Sequence, residues 1–72
     1  MEARIEIEKP ELLEVLKPEA LTSVSHAKVY LSENRLVIEV KTDSISDLRA
    51  AVNSWLRLVK MCIEIEEVLR NG

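Results

Sequence analysis

The stretch SDLRAAVNSWLRLVKMCIEIEEVL, residues 46–69, decides which fold this chain can adopt. Its apolar residues recur at spacings of three and four, which predicts one long α-helix. A first apolar stripe runs along this helix through Leu48, Val52, Trp55 and Val59. The polar residues occupy an arc of only about 80–100° on the helical wheel. The apolar surface is therefore wider than a helix packed on one side requires.

A second apolar strip lies beside the first and consists of Leu58, Met61, Ile65 and Val68. A chain of 72 residues buries only about 60% of its unfolded surface, so its other elements are too short to cover both strips. An exposed strip of this kind marks a protein–protein surface. The residues leave one alternative open, in which the first helix extends through residues 20–21 and covers the second strip.

The remainder of the chain contains three segments with the period-two pattern of strands. Residues 2–8, 25–32 and 36–42 each alternate apolar with polar or charged side chains, which is typical of a strand with one solvated face. The residues between the last two segments, 33–35, predict a tight turn in which Asn34 can adopt a positive φ. These segments predict one separate strand and one β-hairpin.

A short helix is predicted in KPELLEVLKPEAL, residues 9–21. Pro10 suits the first helical position, and Pro18 is expected to end this helix or to restart it as another turn. Its apolar residues that share one face are Leu12, Val15 and Leu16.

The order of these elements is β-α-β-β-α, and it predicts a single α+β domain over residues 1–72. A crossover makes the first two strands parallel, and the third can insert between them. The predicted fold is a three-stranded antiparallel sheet with two helices on its apolar face. Ser44, with Asp47 three residues later, indicates where the long helix begins, and the NG at residues 71–72 indicates where it stops.

Residue types that carry catalysis or bind metals are scarce in this chain. Cys62 is the single cysteine and lies on the first apolar stripe, where we expect it to act as a small hydrophobe. His26 is the single histidine, and we interpret it as a solvated residue of an edge strand. The single glycine, Gly72, rules out a Gly-rich phosphate loop and the GXXG loop of a KH domain, whose layout is otherwise similar. We therefore predict no catalytic residue, no cofactor and no metal.

The charge and hydropathy of the chain restrict its partners and its location. The net charge is −3, which argues against autonomous nucleic-acid binding. Arg49, Arg57 and Lys60 line the polar arc of the long helix, either as a solvated face or as a basic contribution to a larger RNA-binding complex. No segment resembles a signal peptide or a membrane span. The expectation is a cytoplasmic protein without membrane contact.

The long helix also carries a specific motif. DLRAAVNSWLRLVKMCIEI, residues 47–65, resembles the hallmark helix of the Pcc family, the small subunit of the KEOPS complex. The family pattern is Leu-Arg-Gly/Ala-x-x-Asn-Ser-Tyr/Trp-Leu-Arg, followed by an apolar tail. The residues that fill it here are Leu48, Arg49, Ala50, Asn53, Ser54, Trp55, Leu56 and Arg57. Residues 37–46 resemble the strand and cap that precede this helix in the family.

Two departures from the family pattern leave its subgroup open. The first helix region is shorter than in relatives, and Leu58 stands where an archaeal relative often has Trp. The chain is therefore similar either to the main family member or to a divergent archaeal paralogue.

The resemblance implies a role in a tRNA-modifying complex. KEOPS makes the threonylcarbamoyl modification on a tRNA adenosine, and the Kae/TsaD-type subunit performs the chemistry. The Pcc subunit is non-catalytic, forms a homodimer or pairs with a paralogous small subunit, docks on the Kae/TsaD-type subunit, and meets tRNA only indirectly or weakly. The residues expected to bind these partners are Leu12, Val15, Leu16, Arg49, Asn53, Arg57, Leu58, Met61, Ile65 and Val68. The alternative is a free-standing KH-like nucleic-acid-binding module.

Overall fold

The computed structural model describes residues 1–22 and 26–71, and these form the predicted β-α-β-β-α order. The predicted strand start at Ser25 and the helix stop at Gly72 lie outside the described residues. The elements are strands β1 (Glu2–Ile7), β2 (His26–Ser32) and β3 (Arg35–Lys41), and helices α1 (Leu13–Thr22) and α2 (Ile45–Asn71), with a 3₁₀ turn, Pro10–Leu12, leading directly into α1.

The sheet has β3 at its centre, antiparallel to both β1 and β2. This confirms the predicted α+β fold, including the insertion of the third strand between the first two. Ile5, Ile38 and Val29 form the middle cross-strand row on the face that packs against the helices. Met1 and Thr42 exchange two backbone hydrogen bonds, of 2.7 and 2.8 Å, so the β1–β3 pairing continues past the strand ends.

The hairpin turn between β2 and β3 is formed by Glu33 and Asn34, whose φ angles are 51° and 65°. Two positive φ angles are the signature of a type I′ turn, which matches the right-handed twist of the flanking strands. The predicted positive φ at Asn34 is confirmed. Glu33 also adopts this conformation, which is uncommon for a residue with a long side chain.

Helix α1 differs from the prediction at two positions. It continues through Pro18, because both Pro18 and Glu14 are exposed, so water can reach the Glu14 carbonyl that loses its N–H partner. Leu12 and Leu16 are buried, at 4% and 0% exposure, whereas Val15 is 55% exposed. Val15 therefore does not share their buried face, and the prediction of one common face was wrong for this residue.

Helix α2 begins at the predicted cap, where the Asp47 backbone N–H donates to Ser44 Oγ at 3.1 Å. Its first apolar stripe packs on the sheet, and Trp55 and Val59 are its buried members. Cys62 is half-buried against the same cluster, as expected for a small hydrophobe. The buried core consists of Leu12, Leu16, Val29, Leu36, Ile38, Val40, Trp55 and Val59.

Candidate partner-binding surface

The length of α2 exceeds that of the sheet on which it packs. A helix of 27 residues is about 40 Å long, whereas a strand of seven residues spans roughly 23 Å. The longest dimension of the molecule, 42 Å, is close to the length of this one helix. The last turns of α2 therefore extend beyond the sheet, and their apolar residues lack the cover that the first turns have.

The second strip is largely exposed on this extension. Met61, Ile65 and Val68 are 51%, 56% and 69% exposed, and Leu69 beside them is 76% exposed. We call these four residues the C-terminal apolar surface. Leu58, the first residue of the second strip, is half-buried and packs against the core. Helix α1 does extend through residues 20–21, as the alternative required, but it leaves this surface exposed.

A polar ridge lies on another side of α2 and consists of Arg49, Asn53 and Arg57. All three residues are exposed, and their spacing of four places them along one side of the helix. Among the described residues, no group hydrogen-bonds or forms an ion pair with these three side chains. By contrast, Lys60 lies 4.0 Å from Glu64 in the expected i,i+4 pair. The side chains of the polar ridge are thus unpaired within the described part of the chain.

The structure separates the predicted partner-binding residues into buried, half-buried and exposed groups, and Leu58 is the half-buried one. Leu12 and Leu16 are part of the chain's own core, so they cannot meet a partner while the fold is intact. Leu69 was not predicted as a surface residue because the periodic pattern ends there, although the helix continues to Asn71. The predicted residues that lie exposed on the surface are Val15, Arg49, Asn53, Arg57, Met61, Ile65 and Val68.

The opposite face of the sheet carries a network of charged and polar groups. Tyr30 on β2 donates its hydroxyl hydrogen to Glu39 on β3, and this hydrogen bond raises the pKa of Tyr30 above its ordinary value. Arg4 and Lys28 are the cross-strand neighbours of Glu39 on its two sides. Val37 is the exception on this face, since it is fully buried among longer neighbours. This face is therefore polar and solvated, as predicted.

A metal-binding cluster and a membrane-spanning helix are both absent from the described part of the chain. No cluster of three or more His, Cys, Asp or Glu side chains in residues 1–22 and 26–71 could hold a metal ion. No helix in these residues is long and apolar enough to cross a bilayer. His26 is exposed on β2.

The fold and this surface define a class: a small α+β protein whose long helix carries an exposed apolar surface beyond its sheet. The chain matches the family described as transcription factor Pcc1 over residues 2–67, and it belongs to that family. It is also 37% identical over 70 residues to an uncharacterised protein of Archaeoglobus fulgidus, with 93% of each chain covered. No solved structure matches the chain.

Membership of the Pcc1 family confirms the resemblance seen in the α2 motif and implies a role associated with the KEOPS complex. The match includes all of β1 and most of α2, so it extends over the sheet and over Met61 and Ile65, and it ends before Val68 and Leu69. Neither the family match nor the described residues favour a free-standing KH-like module.

Proposed function

We propose that this chain is a non-catalytic assembly subunit of the KEOPS complex, which dimerises and docks on the Kae/TsaD-type catalytic subunit in tRNA threonylcarbamoyladenosine modification. The observation that carries the proposal is the C-terminal apolar surface, which stays exposed although the chain's own core is complete. Family membership supports the association with KEOPS. The catalytic groups belong to the partner, and this chain acts in the cytoplasm as a structural link.

The spacing within the C-terminal apolar surface suits docking against another helix. Met61, Ile65 and Val68 follow one another at intervals of four and three residues, which is the anchor pattern of a helix lying in an apolar groove. Removing such side chains from water contributes about 25 cal/mol per Å² of apolar area. A chain with this surface therefore gains stability from a partner that covers it.

The polar ridge supplies a second set of contacts on the same helix. Arginine and asparagine side chains that have no partner among the described residues can offer their donors to groups of another subunit. Arginine in particular pairs with carboxylates through two parallel hydrogen bonds, which adds geometric specificity. We assign docking energy to the apolar surface and partner selection to the polar ridge. Contact with tRNA is indirect or weak in this proposal.

A binding titration against the recombinant Kae/TsaD-type subunit tests the docking. Ile65→Glu places a charge on the apolar surface and should weaken binding at least about tenfold, because a buried unpaired carboxylate is strongly unfavourable. Ile45→Glu is the matched control, since Ile45 lies on the same helix and is 58% exposed against 56% for Ile65. Equal losses from both variants, or no binding by the unmodified chain, would contradict the docking.

Light scattering of the isolated chain tests the dimer. A mass twice that of the 8.2 kDa chain supports a homodimer. A monomer at high micromolar concentration that becomes a dimer only with a paralogous small subunit supports the heterodimer.

A further inference from the structure

A cleft of about 700 Å³ lies beside the first turns of α2, at the end of the sheet where β1 and β2 begin. The described residues that line it include Met1, His26 and Thr42 near the strand ends and Ala50, Ser54 and Trp55 on α2. Ala50 and Ser54 are small and exposed, so they leave this part of the helix open to a closely approaching neighbour. None of these six residues belongs to the C-terminal apolar surface or to the polar ridge.

Trp55 is the buried residue of this lining, and its indole N–H has no partner. The residue is only 5% exposed. Among the described residues, no acceptor pairs with the indole nitrogen. No described side-chain nitrogen or oxygen that is sealed from solvent lacks a hydrogen bond, so the unpaired indole N–H reaches open space. Because Trp55 lines the cleft, its N–H opens into the cleft.

An indole N–H that is cut off from solvent needs another acceptor. The indole group is a donor only, and the N–H of a buried tryptophan usually has a hydrogen-bond partner. A buried donor without a partner is unfavourable, because it has lost its hydrogen bond to solvent and gained nothing in return. A partner that covers the cleft therefore has to supply an acceptor to Trp55.

The charges of the lining favour a neutral acceptor. Asp43 and Asp47 line the cleft together with Lys41. Glu2 already offsets the charge of Lys41, since Lys41 Nζ lies 3.6 Å from Glu2 Oε1. The two aspartates disfavour a second anion such as a carboxylate or a phosphate, whereas a carbonyl oxygen is neutral and accepts a hydrogen bond. The acceptor that suits Trp55 is therefore the carbonyl oxygen of an amide.

The cleft lies on the same side of α2 as the C-terminal apolar surface. Ala50, Ser54, Met61, Ile65 and Val68 follow one another at intervals of four, seven, four and three residues, so they share one side of the helix. This side is about 27 Å long at the helical rise of about 1.5 Å per residue. Its C-terminal half presents exposed apolar side chains, and its N-terminal half presents the cleft. A helix that docks on the apolar half nearly parallel to α2 therefore passes over the cleft.

We propose that a helix of the docked Kae/TsaD-type subunit lies along this side of α2 and places an amide carbonyl oxygen on the Trp55 indole N–H. The C-terminal apolar surface supplies contact area, and Trp55 supplies a directional hydrogen bond toward the other end of α2. A partner without an acceptor at that position leaves the N–H buried and unpaired, so Trp55 discriminates between docking partners. This inference rests on the proposed function and names a specificity-determining contact within it.

An NMR titration of the isotope-labelled chain with the recombinant Kae/TsaD-type subunit tests the hydrogen bond. Trp55 is the single tryptophan, so one indole N–H resonance reports on this group alone. In the complex its proton should move downfield and exchange more slowly with solvent. A resonance that keeps its position and exchange rate would overturn the contact and leave docking through the C-terminal apolar surface intact. No binding by the unmodified chain would overturn docking itself, and this contact with it.

Trp55→Phe removes the indole N–H and keeps an aromatic ring in the core. This variant should bind about five- to tenfold more weakly, because the carbonyl of the partner then lacks its donor. Val59→Ala is the matched control, since Val59 is 6% exposed in the same core and its truncation loosens packing without removing a donor. Circular dichroism checks that both variants fold. Equal weakening by both variants, or none by Trp55→Phe, would overturn the hydrogen bond.

Ala50→Leu tests the course of the docked helix. A leucine at this position fills the cleft side of α2 and should weaken binding at least about tenfold, because the helix can no longer approach closely. Lys60→Leu is the control, since Lys60 is also exposed on α2 but lies on its polar side, outside the cleft. This control should bind as the unmodified chain does. Undiminished binding by Ala50→Leu, or an equal loss in Lys60→Leu, would overturn the proposed course.

Discussion

Lys9 and Glu66, which are 57 residues apart in the chain, form an ion pair with 3.1 Å between Nζ and Oε1. The two side chains are 31% and 23% exposed, so solvent screens this pair less than a fully exposed one. Lys9 precedes the 3₁₀ turn, and Glu66 lies on α2 beside Ile65, a residue of the C-terminal apolar surface. The ion pair therefore connects the last turns of α2 with the segment that precedes α1.

Replacing Lys9 with Met should loosen the last turns of α2. We expect a loss of about 0.5–1 kcal/mol in the free energy of unfolding, because the pair is partly buried. Amide hydrogen exchange by NMR should accelerate at residues 64–70. Arg70→Met is the control, since Arg70 also donates to Glu66, at 2.9 Å, but through a more exposed i,i+4 pair. Equal exchange rates in both variants would contradict a fastening role for Lys9.

The two adjacent residues Val15 and Leu16 should respond very differently to truncation. Leu16→Ala removes a fully buried side chain and should cost about 2–4 kcal/mol of unfolding free energy. Val15→Ala changes an exposed residue and should remain within about 0.5 kcal/mol. Urea denaturation followed by circular dichroism measures both. A comparable loss in Val15→Ala would show that Val15 is covered in solution, as it would be in a partner interface.

The strands and α2 could be predicted from the sequence because their periodic patterns are long and consistent. Helix α1 was harder to predict, since a helix of ten residues gives few repeats and Pro18 suggested an end. A proline inside a helix removes one hydrogen bond and crowds the carbonyl four residues earlier, and solvent exposure lowers the cost because water can bind that carbonyl. The exposure of Pro18 follows from tertiary packing, which the local pattern does not contain.

The candidate surface could be predicted in outline, because the width of the apolar arc on α2 follows from the sequence without knowledge of detailed packing. The packing decides which of these apolar residues remain exposed. Leu58 and Met61 are three residues apart on one strip, yet Leu58 packs on the core and Met61 is exposed. Cys62 and Ile63, which follow Met61 directly, still pack on the core, so the side of α2 on which a residue lies decides its cover, and the packing that sets this side is not encoded locally.

The hairpin turn offers a route to a more stable chain. Glu33 holds a φ of 51°, which costs a residue with a Cβ roughly 1 kcal/mol. Glu33→Asn combined with Asn34→Gly creates the Asn-Gly sequence preferred in type I′ turns, and we expect a gain of about 0.5–1 kcal/mol. Thermal unfolding should show a higher midpoint. As a control, Asn34→Val forces a β-branched residue into positive φ and should lower the midpoint; a rise there would contradict the turn assignment.

The hydrogen bond from Tyr30 to Glu39 makes a prediction for alkaline pH. The carboxylate of Glu39 accepts from the hydroxyl and so favours the protonated phenol, which raises the pKa of Tyr30 in the folded chain. Because the folded pKa is above the unfolded value of about 10, the stabilisation is fully present below about pH 10 and is lost as pH rises through the folded pKa. Tyr30→Phe should therefore be less stable than the unmodified chain at pH 8, and the difference should shrink above about pH 10.

Glu39→Gln tests directly whether Glu39 raises the pKa of Tyr30. Tyr30 is the single tyrosine of the chain, so the phenolate absorbance reports on this residue alone. Replacing the carboxylate with an amide removes both the strong acceptor and the negative charge that disfavours the phenolate. The midpoint of the absorbance titration should move down toward about pH 10 in this variant. Lys28→Met, which changes the other cross-strand neighbour of Glu39, should leave the midpoint closer to that of the unmodified chain. If Glu39→Gln titrates at the same pH as the unmodified chain, the hydrogen bond does not set the protonation of Tyr30.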